Sequence, residues 1–185
     1  SNKASDIERD LKFNCLTNKD KESVRIGLFK GITHFALSFA NNSTDVTELR
    51  SLCGKGSTII SKIESPAGVR NLEKILSITD EILIDRGDLS RRISVEKVPF
   101  LQRKIISTAK SQGVPVYVAT NLLESMITQS SPNRAELNDV VSTLLMGADG
   151  LVLAAETAIG NHPLGAVEMT RKLINESERW TANKT

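Results

Sequence analysis

The strict alternation of two hydrophobic patterns constrains this chain more than any other feature of its sequence. Short runs of β-branched and apolar residues alternate with longer segments in which apolar residues recur every three to four positions. The short runs predict five strands, at 33–39, 59–63, 82–84, 115–119 and 150–155. Strands separated by helices run parallel, with right-handed connections and helices packed on the sheet. The sequence therefore predicts an α/β fold with about five parallel strands.

The helical segments have recognisable ends. Asn18 is a candidate cap for a first helix that extends to about Lys30, and Ser43 opens a second helix that stops at Gly54. One helix is expected between the second and third strands, and a loop is expected at 86–90. Further helices are predicted from Val95 to Gln112, from Ser131-Pro132 to Gly147, and after Pro163.

Two architectures fit this alternation, an open doubly wound sheet and part of a TIM (β/α)8 barrel. An open nucleotide-binding sheet usually has a glycine-rich phosphate loop after its first strand, but here the sequence after Phe39 is ANNSTDV. The missing loop favours a partial TIM barrel. Because five strands cannot close an eight-stranded barrel, we expect part of a barrel, or one that obtains strands from another copy or chain.

Composition argues against several classes of function. The net charge is only +2, the basic residues are scattered and aromatic residues make up 4% of the chain, so no nucleic-acid binding is expected. No apolar run reaches the ~18 residues of a membrane span, and no signal peptide is visible. Cys15 and Cys53 lack metal-ligand spacing and are expected to be free thiols, which predicts a cytoplasmic location. We assign 1–15 to a flexible N-terminal segment and 16–185 to one domain.

The charged residues at the ends of the second and third strands are the main candidates for chemistry. Lys62 and Glu64 end the second strand, and Gly87 and Asp88 follow the third. Parallel strands place their carboxyl ends at one edge of the sheet, where active sites of such folds lie. Glu64 and Asp88 could bind Mg²⁺ or Mn²⁺ through oxygen, and Lys62 could offset charge on a transferring phosphoryl group or an enolate.

Other groups at this edge have ordinary alternatives. The backbone N–H groups of Gly87 and Asp88 could hold a carboxylate, and the hydroxyl of Thr120 could orient water or relay a proton. Equally, the Lys-Glu pair could be a solvated ion pair, the Arg-Gly-Asp stretch a polar loop, and Thr120 a cap for the next turn. We expect Glu156 to pair with a neighbouring Arg or Lys rather than to act in catalysis.

Several motifs resemble those of the pyruvate kinase family, in the family's order and over nearly everything after Leu16. The most specific combination is ATNLLESMI followed by SPNRAELNDV. The matching blocks are LTNKDKESV at 16–24, LSFA at 37–40, IISKIES at 59–65, RGDLS at 86–90, ATNLLESMI at 119–127, SPNRAELNDV at 131–140 and GADGLVLAAETAIGNHPLGAV at 147–167. By this resemblance the chain corresponds to strands four to eight of the family's catalytic barrel.

The resemblance implies phosphoryl transfer from phosphoenolpyruvate to ADP, giving pyruvate and ATP in glycolysis. It implies that Lys62 stabilises the transferring phosphoryl group and that Glu64 and Asp88 bind the divalent ion. Gly87 and Asp88 match the backbone that holds the substrate carboxylate, and Thr120 matches the threonine near the carbon that is protonated. The family also uses K⁺, but its ligands match no part of this sequence. The chain alone is therefore expected to be an incomplete catalyst.

The sequence departs from the family pattern at a few positions. Asn41 stands where an arginine is usual, Asn121 replaces a glutamine, Ser90 a glycine, and Ala154-Ala155 a Ser-Gly. These departures motivate an alternative, a non-catalytic pseudoenzyme or assembly module. A metal-dependent HpcH/HpaI-like aldolase is a further alternative, which rests on IESPAGVRNLEKI and DRGDLS alone. Because a partial barrel exposes unpaired strand edges, a homo-oligomer or a missing partner segment is expected.

Overall fold

The computed structural model describes residues 15–183 and confirms the predicted α/β class. Its five strands form one sheet in sequence order, with every adjacent pair parallel. An all-parallel sheet in sequence order is typical of a barrel wall, whereas strand order reverses in a doubly wound sheet. The strands are β1 His34–Leu37, β2 Thr58–Ile63, β3 Glu81–Asp85, β4 Val116–Ala119 and β5 Gly150–Val152.

Helices join successive strands, as the alternation predicts. Two single-turn 3-10 helices, Val95–Lys97 and Glu124–Ile127, lie in the longer connections. The α-helices are α1 Asn18–Phe29, α2 Ser43–Cys53, α3 Pro66–Arg70, α4 Leu72–Leu76, α5 Arg86–Ser90, α6 Val98–Ser111, α7 Arg134–Leu145, α8 Ala155–Ala158 and α9 Pro163–Ala182. No helix within 15–183 is both long and apolar enough to cross a membrane.

The capping chemistry corrects the predicted cap of the first helix and the predicted start of α7. Thr17, not Asn18, caps α1: its hydroxyl accepts the N–H of Asp20 at 3.2 Å, and the carboxylate of Asp20 accepts the N–H of Thr17 at 2.8 Å. Asn133 caps α7 in the same reciprocal way with Glu136, so the prediction of a start at Ser131-Pro132 was wrong. In both cases a residue with an acceptor side chain three positions before an acidic residue sets the boundary.

Two segments between β2 and α6 also differ from the prediction. The single helix expected between β2 and β3 is two short helices, α3 and α4, which meet at Asn71. The loop expected at 86–90 is the helix α5, for which Asp85 is the N-cap. A carboxylate at the N-cap satisfies an otherwise unpaired N–H in the first turn, which favours a helix over an open loop.

Burial alternates along the strands and sorts their side chains onto two faces. In β2 and β3 the alternate residues Ile59, Ile63, Ile82 and Ile84 are completely buried in the main core. Lys62 in β2 and Asp85 at the end of β3 alternate with these residues, face the other side and are partly exposed. This alternation places the two charged side chains on one face at the C-terminal end of the sheet.

The N-terminal segment predicted at 1–15 lies outside the described residues except for Cys15. The domain boundary at residue 16 therefore stays a prediction. Within 15–183, β1 and β5 each pair with a strand on one side only. Both edges of the sheet are therefore open in the described part of the chain.

Candidate active site

Lys62 and Glu64 form an ion pair at the C-terminal end of β2. The Nζ atom of Lys62 lies 2.5 Å from Oε1 of Glu64 and 3.5 Å from Oδ2 of Asp85. Burial acts to lower the pKa of the Lys62 ammonium, but hydrogen bonding and charge from Glu64, with Asp85 adding to both, outweigh it and hold the pKa above 10.5. Lys62 is therefore a cation at neutral pH.

The carboxylate of Glu64 is completely buried and only partly satisfied. Its Oε2 accepts a 2.6 Å hydrogen bond from the N–H of Phe39, a residue in the left-handed region with φ 51°. Its Oε1 lies 2.5 Å from the Lys62 ammonium, and no other group within residues 15–183 donates a hydrogen bond to it. A buried carboxylate oxygen with spare lone pairs is suited to a second cation.

Three carboxylates meet at this edge of the sheet. Glu64, Asp85 and Asp88 each offer one oxygen, and these oxygens lie within 4.8 Å of one another. An all-oxygen donor set of this kind fits a hard cation such as Mg²⁺. The geometry brings together both predicted metal ligands, Glu64 and Asp88, and adds a third carboxylate that the sequence reasoning missed.

Asp85 is the missed residue, and its surroundings explain its position. It is the last residue of β3, and its carboxylate lies 3.3 Å from the hydroxyl of Thr120 and 3.4 Å from the N–H of Asp88. Two signals in the sequence could have found it. First, the period of two along β3 puts Asp85 on the same face as Leu83, and Leu83 is the cross-strand partner of Lys62. Second, an Asp before Arg-Gly-Asp has the spacing of a helix cap.

The two backbone N–H groups predicted to hold a substrate carboxylate lie in the first turn of α5. The N–H of Gly87 donates to the hydroxyl of Thr120 at 2.7 Å, and that of Asp88 points to Oδ1 of Asp85 at 3.4 Å. Both therefore have partners within the chain. A ligand carboxylate could take the two N–H groups only if the side chains of Thr120 and Asp85 rotated away.

Thr120 lies directly after β4 in a strained backbone conformation. Its φ is 70° and that of Asn121 is 53°, in the left-handed region that β-branched residues disfavour. Besides contacting Gly87, its hydroxyl lies 2.6 Å from the carbonyl oxygen of Ala119. The hydroxyl is thus held at the edge where the carboxylates meet.

Arg86 stabilises this strained turn through hydrogen bonds to its backbone carbonyls. Its guanidinium donates two hydrogen bonds to the carbonyl of Thr120, at 3.0 and 2.7 Å, and one to that of Asn121 at 2.8 Å. The same group pairs with Asp139 on α7 at 2.6 Å. Arg86 therefore acts as a positioning residue for Thr120, a role that the sequence did not suggest.

Among residues 15–183 Glu156 pairs with no cation, so the expectation that it would pair with a neighbouring Arg or Lys was wrong. Its buried carboxylate accepts the N–H groups of Leu123 at 3.2 Å and Ala154 at 2.8 Å. It thus ties the start of α8 to the segment that follows β4. Neither Ala154 nor Ala155 has a positive φ, so the replacement of a family Ser-Gly is accommodated in the short helix α8.

The other family departures make local contacts. Asn41 accepts a hydrogen bond from the hydroxyl of Ser65 at 2.5 Å, and its carbonyl accepts one from the side chain of Asn71 at 2.8 Å. Ser90 donates to the carbonyl of Gly87 at 2.8 Å within α5. The two departures Asn41 and Ser90 thus make contacts that hold the segments around the site.

Comparisons with known proteins agree with the motifs in this chain. A family model described as the barrel domain of pyruvate kinase matches residues 2–167. Over 173 residues the chain is 40% identical to a pyruvate kinase of Thermotoga maritima, a match that covers 92% of this chain and 37% of that protein. Pyruvate kinase 2 of Synechocystis sp. is 38% identical over 94% of this chain and 30% of its own length. The chain thus spans little more than a third of the first of these relatives and less than a third of the second.

Proposed function

The chain belongs to the pyruvate kinase family, and on that premise we propose that it contributes to phosphoryl transfer between phosphoenolpyruvate and ADP. The products are pyruvate and ATP, as in glycolysis. The observation that carries the proposal is the cationic Lys62 held beside the carboxylates of Glu64, Asp85 and Asp88 at one sheet edge. Phosphoryl transfer depends on such positioned charge more than on covalent chemistry by the protein.

Each predicted residue has a role in this proposal. Lys62 stabilises the negative charge of the phosphoryl group and of the enolate that remains. Glu64 and Asp88 hold a divalent cation, Mg²⁺ or Mn²⁺, which supplies electrostatic stabilisation of the substrate when bound. The N–H groups of Gly87 and Asp88 bind the substrate carboxylate once the side chains of Thr120 and Asp85 rotate away from them, and the hydroxyl of Thr120 is then near the carbon that takes up the proton.

The chain is proposed to need further protein for full activity. The family resemblance implies K⁺ as well, but its ligands match no residue of this sequence. The open edges of β1 and β5 support a second copy or a missing segment as the partner. Exposed apolar side chains near β1, such as Phe29 and Ile32, support the same conclusion. The free thiols of Cys15 and Cys53 support a cytoplasmic location.

The test is metal-dependent binding of phosphoenolpyruvate to the chain, measured by isothermal titration with Mg²⁺ and K⁺ present. We expect Lys62→Met to abolish this binding. Lys110→Met removes a lysine that pairs with Asp149 outside the site, and we expect it to bind like the parent chain. ATP formation from phosphoenolpyruvate and ADP, followed in parallel, is expected to be slow and to depend on Lys62.

A folded parent chain that binds no phosphoenolpyruvate with Mg²⁺ present would contradict the proposal. It would favour the pseudoenzyme or assembly module instead. One observation already favours that second candidate: the N–H groups of Gly87 and Asp88 have partners within the chain. In that case the site residues would act only to hold the sheet edge together.

A further inference from the structure

We propose that Asp85 is a third carboxylate ligand of the divalent cation, so that this chain binds the cation before any substrate. The inference rests on the proposed function, because it adds a residue to the metal site assigned to Glu64 and Asp88. It assigns a role to a side chain that the sequence motifs leave unexplained.

The position of Asp85 is fixed by the sheet. It is the last residue of β3, and its backbone is in register with Ala119 of β4. One of its carboxylate oxygens lies within 4.8 Å of an oxygen from Glu64 and one from Asp88. Because β3 pairs with β2 on one side and with β4 on the other, its end is held in place and the three oxygens are brought together without any ligand.

A second observation points to a cation at the same place. Glu64 is the fully buried member of this cluster, and among the described residues its Oε1 atom has no partner other than the nearby ammonium of Lys62. Such an oxygen loses the hydrogen bonds of water on folding and is stabilised by a cation that enters the cluster. The Lys62 ammonium, 2.5 Å away, offsets only part of the charge.

Charge balance explains why a third carboxylate favours binding without substrate. Mg²⁺ in phosphoryl-transfer sites is usually held by one or two carboxylates, with substrate phosphates supplying further oxygens. Here three carboxylates lie around one partly buried ammonium, which leaves two net negative charges, as a divalent cation requires. Arg91 also approaches Asp88, at 3.4 Å, but its side chain is 82% exposed and its charge is screened by water.

Asp85 has a structural contact that must be separated from metal binding. Its side chain caps α5 through a long 3.4 Å contact with the N–H of Asp88. Asn and Ser cap helices about as well as Asp, so Asp85→Asn and Asp85→Ser remove the charge and keep the cap. Glu176→Gln removes a carboxylate from an exposed pair on α9 and is the matched control for charge.

The experiment is a titration of Mn²⁺ into the parent chain, Asp85→Asn, Asp85→Ser, Glu64→Gln and Glu176→Gln. Free Mn²⁺ is followed by electron paramagnetic resonance, and the water bound to Mn²⁺ by the relaxation rate of water protons. We expect both Asp85 variants to bind at least about tenfold more weakly and to carry one more water on the bound ion. Glu176→Gln is expected to match the parent, and circular dichroism checks that each variant is folded.

The possible failures are distinguishable. If the Asp85 variants match the parent in affinity and water number while Glu64→Gln loses binding, Asp85 is not a ligand and the proposed pair of Glu64 and Asp88 stands. If Glu64→Gln also matches the parent, the metal site of the proposed function is wrong as well. A folded parent chain that binds no Mn²⁺ overturns both.

Discussion

The N–H of Gly87 donates a 2.7 Å hydrogen bond to the hydroxyl of Thr120, and this bond joins the start of α5 to the end of β4. The same hydroxyl lies 3.3 Å from Asp85 and so connects two neighbouring strand ends. Arg86 donates two further hydrogen bonds to the carbonyl of Thr120. The left-handed turn at Thr120 is therefore maintained by contacts on both its side chain and its backbone.

The first prediction concerns the hydroxyl of Thr120. Thr120→Val keeps the β-branched shape and hence the backbone strain, but it leaves the N–H of Gly87 without its acceptor. We expect a loss of about 1–3 kcal/mol in the free energy of unfolding. Thr120→Ser retains the hydroxyl and is expected to lose less. Urea unfolding of the three proteins measures the difference, and a valine variant as stable as the serine variant would show that this bond contributes nothing.

The placement of Lys62, Glu64 and Asp88 at one edge of the sheet could be predicted, because it follows from two rules that need only the sequence. Alternating hydrophobic periods give parallel strands, and parallel strands end at one edge. The cap residue Asp85 was accessible by the same reasoning, since both its face on β3 and its spacing to Asp88 can be read from the sequence.

The left-handed residues around the site could not be predicted in this way. Phe39 and Thr120 have side chains that disfavour positive φ, so no local propensity indicates it. Each is held there by a partner distant in sequence: Glu64 accepts the N–H of Phe39, and Arg86 binds the carbonyl of Thr120. Such contacts depend on tertiary packing, which overrides local preference.

A second prediction concerns Arg86 as the residue that holds the turn. Arg86→Met removes three hydrogen bonds to the carbonyls of Thr120 and Asn121 and leaves Asp139 without its cation. We expect the free energy of unfolding to fall by about 2–4 kcal/mol, with Arg86→Lys in between because an ammonium lacks the planar fork. Arg179→Met, which breaks an exposed pair on α9, is the control and is expected to change little. Equal unfolding midpoints for the Arg86 and Arg179 variants would count against this role.

A third prediction concerns the tight connection between α8 and α9. A Cβ atom at Gly160 would lie 2.3 Å from the carbonyl oxygen of Glu156, so the backbone must shift in Gly160→Ala. We expect a loss of about 1–3 kcal/mol in stability, the usual range for overpacking. At Gly56 a Cβ atom meets nothing within 4 Å, and Gly56→Ala is expected to be neutral or slightly stabilising. Thermal unfolding of both variants tests the contrast, which fails if the two midpoints are equal.

A fourth prediction concerns the pH dependence of stability through Glu136. Burial acts to raise the pKa of Glu136, but hydrogen bonds from the hydroxyl and N–H of Ser125 and the N–H of Asn133 outweigh it and lower the pKa. A carboxyl whose pKa is lower in the folded state stabilises the fold above its unfolded pKa of about 4.3. That stabilisation is lost as the pH falls through the folded pKa.

Glu136→Gln should therefore weaken the dependence of stability on acid. We expect the variant to be less stable than the parent chain near neutral pH, and the difference to shrink as the pH falls below about 4.3. Urea unfolding between pH 7 and pH 3 measures it, with Glu176→Gln as the exposed control. A difference between parent and Glu136→Gln that stays constant over this range would refute the linkage.

The last prediction concerns competition between Lys62 and the metal. The ammonium of Lys62 lies 2.5 Å from Oε1 of Glu64, and the proposed cation would contact the same carboxylate. Lys62→Met removes this positive charge and leaves the buried carboxylate of Glu64 without its cationic partner, so the apo protein is expected to be less stable. The Coulomb repulsion from a unit charge this close to the cation is large enough that its removal is expected to tighten Mn²⁺ binding by at least about tenfold.

Because a cation that binds only the folded state stabilises it by mass action, Mn²⁺ should raise the unfolding midpoint of Lys62→Met more than that of the parent chain. Phosphoenolpyruvate binding should be lost in the same variant, since the anion loses its cationic partner. Mn²⁺ affinity and unfolding midpoints with and without Mn²⁺ are compared among the parent chain, Lys62→Met and the control Lys110→Met. Weaker Mn²⁺ binding in a folded Lys62→Met than in Lys110→Met would mean that Lys62 positions Glu64 for the metal instead of competing with it.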